Sequence, residues 1–139
     1  MKIALLFISL IFAQFCFSDI SVIVNKESVF KNISKEKLKN VYLGESKFYN
    51  KSRILPLDQM REDDDTIEFY RALFRKPMSQ IVAHWSRLIF TGKGQSPIEV
   101  RDQQQMLSLI KANKNMIGYI NSELVDDDVF VVMTLKQLP

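Results

Sequence analysis

Cysteine is nearly absent from the 139 residues, and Cys16 stands alone. A single thiol excludes an internal disulfide framework and a thiolate metal site, so stability must come from packing. Histidine is as scarce. Any Ser/His/Asp arrangement would have to be assembled around His84. Four glycines and four prolines leave no room for a Gly- or Pro-rich linker or a low-complexity tract, and no internal repeat is present. An excess of one charge is missing too: 19 Lys and Arg against 16 Asp and Glu give +3, too small a surplus to argue for nucleic acid or an anionic membrane. The longest apolar run, residues 3–13, is shorter than the roughly 20 residues of a bilayer span.

What is there begins with the marks of an export signal. Lys2, the apolar run and Phe15-Cys16-Phe17-Ser18 precede Asp19. Gln14 and Phe15 are not the small residues that lipid attachment at Cys16 requires, so cleavage after Ser18 is expected. A signal peptide over 1–18 then leaves one domain over 19–139, enough for a single core and free of cysteine.

Ile20, Val22 and Val24 alternate with Ser21 and Ile23 as in a buried strand. Ser34 is a good N-cap, and Leu38, Val41 and Tyr42 fall at i, i+3 and i+4 before Gly44, which predicts a short helix. Residues 53–58 read as a second strand, with Pro56 demoting it to an edge or a strand end. Glu62, Asp63, Asp64 and Asp65 crowd the positive end of a helix carrying Ile67, Phe69, Tyr70, Leu73 and Phe74. Pro77 is expected at N1 of the next helix, whose stripe is Ile81, Val82, Trp85, Leu88 and Ile89. Asp102 with Gln105 predicts a capping box ahead of Met106, Leu109 and Ile110. Gly118 belongs to the following strand, and 129–133 form the last. Strands alternating with helices predict an α/β fold with a mixed sheet.

Trp85, Phe90, Gly92, Gly94 and Pro97 meet a W-x-x-x-x-F-x-G-x-G-x-x-P pattern, and Met116-Ile117-Gly118-Tyr119-Ile120 follows it. With residues 20–25 and 38–44, these positions resemble the small phosphate-type, PstS-like periplasmic solute-binding proteins of ABC transporters, over nearly all of 19–139. The resemblance implies a single lobe of the type II periplasmic binding protein fold, a periplasmic location and no catalysis. It also implies that the helix after the second strand begins at the solute cleft. Thr66 stands three residues before Phe69, where relatives place an arginine. The expected ligand-binding residues are Asn25, Lys26 and Ser28 in the turn after the first strand, with Arg61 and Thr66 at that helix start. The neighbouring carboxylates repel phosphate.

Other candidates have plain structural readings. The 91–96 loop lacks P-loop spacing and has Pro97 where a dinucleotide fingerprint needs a glycine, so Gly92 reads as a helix C-cap. The acidic runs 62–65 and 126–128 lack calcium-loop spacing and read as caps and turns, with no metal or cofactor expected. His84 lies about 100° around the helix from Trp85 and reads as a half-exposed surface imidazole. Trp85, Phe90 and Tyr119 read as core. The leading expectation is non-catalytic binding of a small oxyanion or other polar solute. The alternative is an interaction module that docks a second copy as a homodimer, or a membrane sensor or transporter subunit. An enzyme built around His84 comes third.

Overall fold

In the computed structural model, which describes residues 18–138, the first element is the strand anticipated at 20–25. This strand, β1 (Ile20–Asn25), is buried from Ile20 through Val24. Successive strand side chains point to opposite faces, so Ile20, Val22 and Val24 enter one core and Ile23 the other. Burial on both sides explains the nearly continuous apolar run. The export-signal reading, Cys16 included, lies outside the described residues apart from Ser18.

After β1 come α1 (Lys35–Tyr42), β2 (Phe48–Tyr49), β3 (Ser52–Arg53), β4 (Leu55–Asp58), α2 (Asp64–Phe74) and α3 (Met78–Phe90). Then follow β5 (Ile98–Glu99), α4 (Gln103–Ala112), β6 (Met116–Asn121) and β7 (Val129–Leu135). The main sheet has the order β5-β4-β6-β1-β7. β4 runs parallel to β5 and β6, whereas β1 is antiparallel to both of its neighbours. One reversed strand therefore sits inside an otherwise parallel sheet. Leu38, Val41 and Tyr42 of α1, Phe69, Tyr70 and Leu73 of α2, and Ile81 and Trp85 of α3 cover one face. Met106, Leu107 and Ile110 of α4 cover the other. This is the mixed sheet flanked by helices that the resemblance implies.

The helix ends follow local chemistry. Ser34 Oγ accepts from the Lys37 amide at 3.1 Å, and Asp102 Oδ1 accepts from the Gln105 amide at 2.8 Å. Gln105 Oε1 reaches back to the Arg101 amide at 2.6 Å, one residue before the position a capping box predicts. Gly44 and Gly92, at φ 77° and 69°, end α1 and α3. At α1, Gly44 N–H donates to Val41 O and Glu45 N–H to Asn40 O; at α3, Gly92 N–H donates to Ile89 O and Lys93 N–H to Leu88 O. Both are Schellman closures, and the C-cap reading of Gly92 is what the backbone shows.

Several expectations need correction. Phe90 is 93% exposed, while Trp85 and Tyr119 are buried, because Phe90 lies five residues beyond Trp85 and so turns to the far side of α3. Ile67, about 100° around α2 from buried Thr66, and Ile89, on the Trp85 side of α3 but in its last turn, are exposed as well. Pro77 is the N-cap of α3, since its ψ of 150° is extended. β4 is not the edge, because β5 lies outside it. That outer pairing starts only at Leu57, so the N–H missing from Pro56 falls where no outer strand needs it. The β2–β3 hairpin was not anticipated. Asn50 and Lys51 both take left-handed φ at its turn, a geometry that asparagine tolerates and lysine does not advertise.

Candidate functional site

β4 ends at Asp58 and hands the chain through Gln59 to the N-terminus of α2. There Gln59, Asp63, Asp64, Asp65, Asp102 and Gln103 line a depression of about 480 Å³ between the starts of α2 and α4. Gln103 ties its two sides together. Its Nε2 donates to Asp65 Oδ2 at 2.7 Å, and its Oε1 accepts from the Asn121 amide at 2.7 Å. Gln59, 2% exposed, donates through Nε2 to Tyr119 O at 2.9 Å, which anchors the floor of the rim to β6.

Directly beneath lies a buried polar knot. Asp58 Oδ2 accepts from the Tyr70 hydroxyl at 2.5 Å, and Asp58 Oδ1 accepts from the Tyr119 hydroxyl at 2.5 Å and from the Gln59 amide at 2.9 Å. Burial drives the Asp58 carboxyl above its usual range even though both tyrosines and that amide favour its ionised form; nearby Glu99 adds to the rise. Tyr70 and Tyr119 are pushed well above the normal phenol range, first by burial and then by the charge of Asp58. Tyr42 completes the cluster by donating to Leu57 O at 2.8 Å. Phe69 stacks on Tyr119 at 3.8 Å between ring centroids, and the Trp85 indole N–H donates to Tyr42 O at 2.9 Å.

The residues expected to form one site stand at two ends of the sheet. Arg61 and Thr66 lie at the start of α2, as anticipated. Asn25, Lys26 and Ser28 do not. Because β1 runs against β6, Val24 pairs with Ile117 near the start of β6, and the turn after β1 emerges at the end away from α2's N-terminus. Asn25 Nδ2 donates to Ile110 O and Lys111 O at 3.0 and 2.9 Å, capping the end of α4. Ser28 is buried and its hydroxyl accepts from the Phe30 amide at 3.0 Å, while Lys26 is exposed. Strand direction separates the two groups.

Within the α2 group, Arg61 is exposed with its guanidinium 5.8 Å from the Trp85 ring centroid. Thr66 is fully buried. Its hydroxyl has no partner of hydrogen-bond geometry, although it lies near enough to Tyr119 to favour that phenol's ionised form slightly. Sequence reasoning missed Asp58, Gln59 and Gln103. A polar pair closing a strand immediately before an acidic helix start was the only signal available for the first two. His84 Nε2 sits 3.1 Å from Leu43 O and 3.4 Å from Glu45 Oε1, bracing the end of α1. Among the described residues no group of three or more His, Cys, Asp or Glu side chains is arranged to hold a metal, and no helix is long and apolar enough to cross a membrane. Asp126 accepts from Lys111 Nζ at 2.6 Å and from the Asp128 amide at 2.9 Å, which makes it part of a turn.

No protein-family model and no curated protein matches the sequence. Solved structures do match the fold. An ABC-type phosphate transport receptor from Vibrio cholerae superimposes with a TM-score of 0.63 at 16% identity, over 82% of this chain and 45% of that one. A protein assigned as a phosphate ABC transporter substrate-binding protein, from Clostridium perfringens and solved with bound phosphate, gives 0.64 at 19% identity over 82% and 44%. A possible phosphate binding protein from Planctomyces limnophilus gives 0.58 at 10% identity over 82% and 40%. The chain spans less than half the length of each structure it matches, and at these identities the likeness is one of fold.

Proposed function

We propose, from a fold shared with phosphate ABC transporter substrate-binding proteins, that this chain is an exported, non-catalytic solute-binding module working beside an ABC transporter. The observation that carries the reading is this likeness over 82% of the chain to proteins of that kind, one of them solved with phosphate bound. The rim at the start of α2 is where a small polar solute fits best: amides of Gln59 and Gln103 flank a helix N-terminus whose first turn supplies free N–H donors. A rim open on one side covers less of its ligand than the 70–90% typical of an enclosed site, so binding is weak.

Charge sets the preference among solutes. Asp63, Asp64, Asp65 and Asp102 surround the depression, and each unit charge about 8 Å away opposes a bound anion by roughly 0.5 kcal/mol in water. Phosphate is therefore the solute most penalised. In isothermal titration with inorganic phosphate and sulfate, the native protein is expected to bind only at millimolar concentration. The triple change Asp63→Asn, Asp64→Asn, Asp65→Asn is expected to tighten phosphate roughly tenfold. Silence from both proteins at millimolar phosphate removes the rim as an oxyanion site. Export is tested separately: N-terminal sequencing of protein recovered outside the cytoplasm is expected to begin at Asp19, and a start at Met1 refutes it.

A further inference from the structure

The rim between the starts of α2 and α4 is rich in acceptors and poor in donors. Asp63, Asp64, Asp65 and Asp102 line it, and no lysine or arginine does. An aspartate at a helix N-cap ordinarily spends its carboxylate on the amides of the first turn. Asp102 does so at α4, and Arg101 Nε stands 3.5 Å from its Oδ2. Asp63 does not: it is the N-cap of α2, yet its side chain makes no cap bond. Asp63 and Asp64 are exposed, and neither carboxylate has a partner among the described residues.

A second acceptor reaches the rim from below. Gln59 is 2% exposed, and its Nε2 is spent on Tyr119 O at 2.9 Å. A carbonyl only accepts, so the amide nitrogen must face it and Oε1 must face away. No described donor reaches that oxygen. Thr66 Oγ1 is the one fully buried side-chain atom without a partner among the described residues, so Gln59 Oε1 keeps its small exposure toward the depression that Gln59 lines. An acceptor held open in this way calls for a donor from outside.

Charge and hydrogen-bonding capacity select the same ligand. The dipoles of α2 and α4 bring roughly half a positive charge each, less than the carboxylates around them. A bare metal ion does not suit: among the described residues no three acidic or imidazole groups are arranged to hold one, and about 480 Å³ is far wider than an ion. We propose that the rim binds a small alkylammonium ion, whose N–H groups donate to Gln59 Oε1 and to the carboxylates of Asp63 and Asp64. Carboxylates stand on both the α2 and the α4 side, so a diammonium gains from both walls. The assignment rests on the reading of the rim as the solute site and turns its preference from anions to cations.

Isothermal titration at low salt with 1,4-diaminobutane is expected to give a dissociation constant at least tenfold below that of phosphate. The fully N-methylated diamine keeps both charges and the four-carbon chain but has no N–H, and is expected to bind about tenfold more weakly than its parent. The triple change Asp63→Asn, Asp64→Asn, Asp65→Asn is expected to weaken the diamine roughly tenfold, opposite in sign to its effect on phosphate. Gln59→Met, with folding checked by thermal melt, is expected to weaken the diamine about fivefold and leave the methylated analogue unchanged. Phosphate bound with no diamine bound overturns the cation assignment and leaves the rim a solute site, whereas silence to both removes the rim reading itself. Equal binding of the two diamines, or diamine binding unchanged in the triple variant, also overturns the assignment. Complete displacement of the diamine by an equal concentration of calcium overturns it in favour of a metal.

Discussion

Gly44→Ala is expected to cost about 3–5 kcal/mol of folding stability, read as a fall in the urea midpoint at unchanged slope. Two penalties add. Gly44 holds φ at 77° to close α1, and an L side chain there costs roughly 1–2 kcal/mol. A Cβ at this position would also stand 2.5 Å from the carbonyl oxygen of Gln95, while a Cβ on Gly94 would stand 2.8 Å from the carbonyl oxygen of Gly44. Two backbones touch with no side chain between them, so the 92–97 loop would have to back away from α1. Gly92→Ala separates the effects. Its φ is 69°, but a Cβ there meets nothing within 4 Å, so only the first penalty, about 1 kcal/mol, applies. Equal losses in the two variants would show that the close approach contributes nothing. The sequence pattern Gly92-Lys93-Gly94 thus has two separate causes, a helix ending and a crossing of main chains.

Asp58→Ala is expected to destabilise by about 3–5 kcal/mol near neutral pH, because it strips the acceptor from two buried tyrosine hydroxyls at once. Asp58→Asn keeps an acceptor and removes the charge, which makes it the informative change. The carboxyl is held above its ordinary range in the fold, so the folded chain takes up this proton more readily than the unfolded chain does. The stability linked to this group is therefore fully present below the ordinary Asp range and declines as pH rises through the raised value. From about pH 4 upward the native protein is expected to lose stability relative to Asp58→Asn, a difference that should widen and then level off once the pH has passed the raised value. Glu27 and Asp126 shift the other way, by pairing with Lys114 and Lys111, but they remain in both proteins and cancel in the comparison. Parallel pH curves would mean that burial of Asp58 carries no net charge penalty.

Most elements were legible where the signal is local. Ser34 and Asp102 announce helix starts by side-chain chemistry, and Ile81 with Trp85 announces a buried stripe by spacing. The rest was hidden for reasons of the same physical kind. Helical period identifies Trp85 as inward, yet carrying the family pattern on to Phe90 overlooks the five-residue offset that turns that ring into solvent. The candidate site failed to assemble as one because an apolar run reveals a strand without its direction, and the reversed course of β1 sends Asn25 away from Thr66. Asp58 looks like an ordinary turn former until Tyr70 and Tyr119, 12 and 61 residues further on, are seen to converge on it. No period in the chain encodes that convergence.

The place of β1 between β6 and β7 also bears on time. Ile20 finds its partners at Asn121 and Leu135, so the earliest described strand cannot be seated until synthesis has passed β6 and β7. Loop closure over such separations is slow, and the helices alone cannot hide the strand's second face. A nascent copy therefore stays threadable, its first described strand still unsheltered, for as long as β6 and β7 are missing. An early stop that removes β6 and β7 should yield a sticky, unfinished chain and not a smaller version of the same molecule.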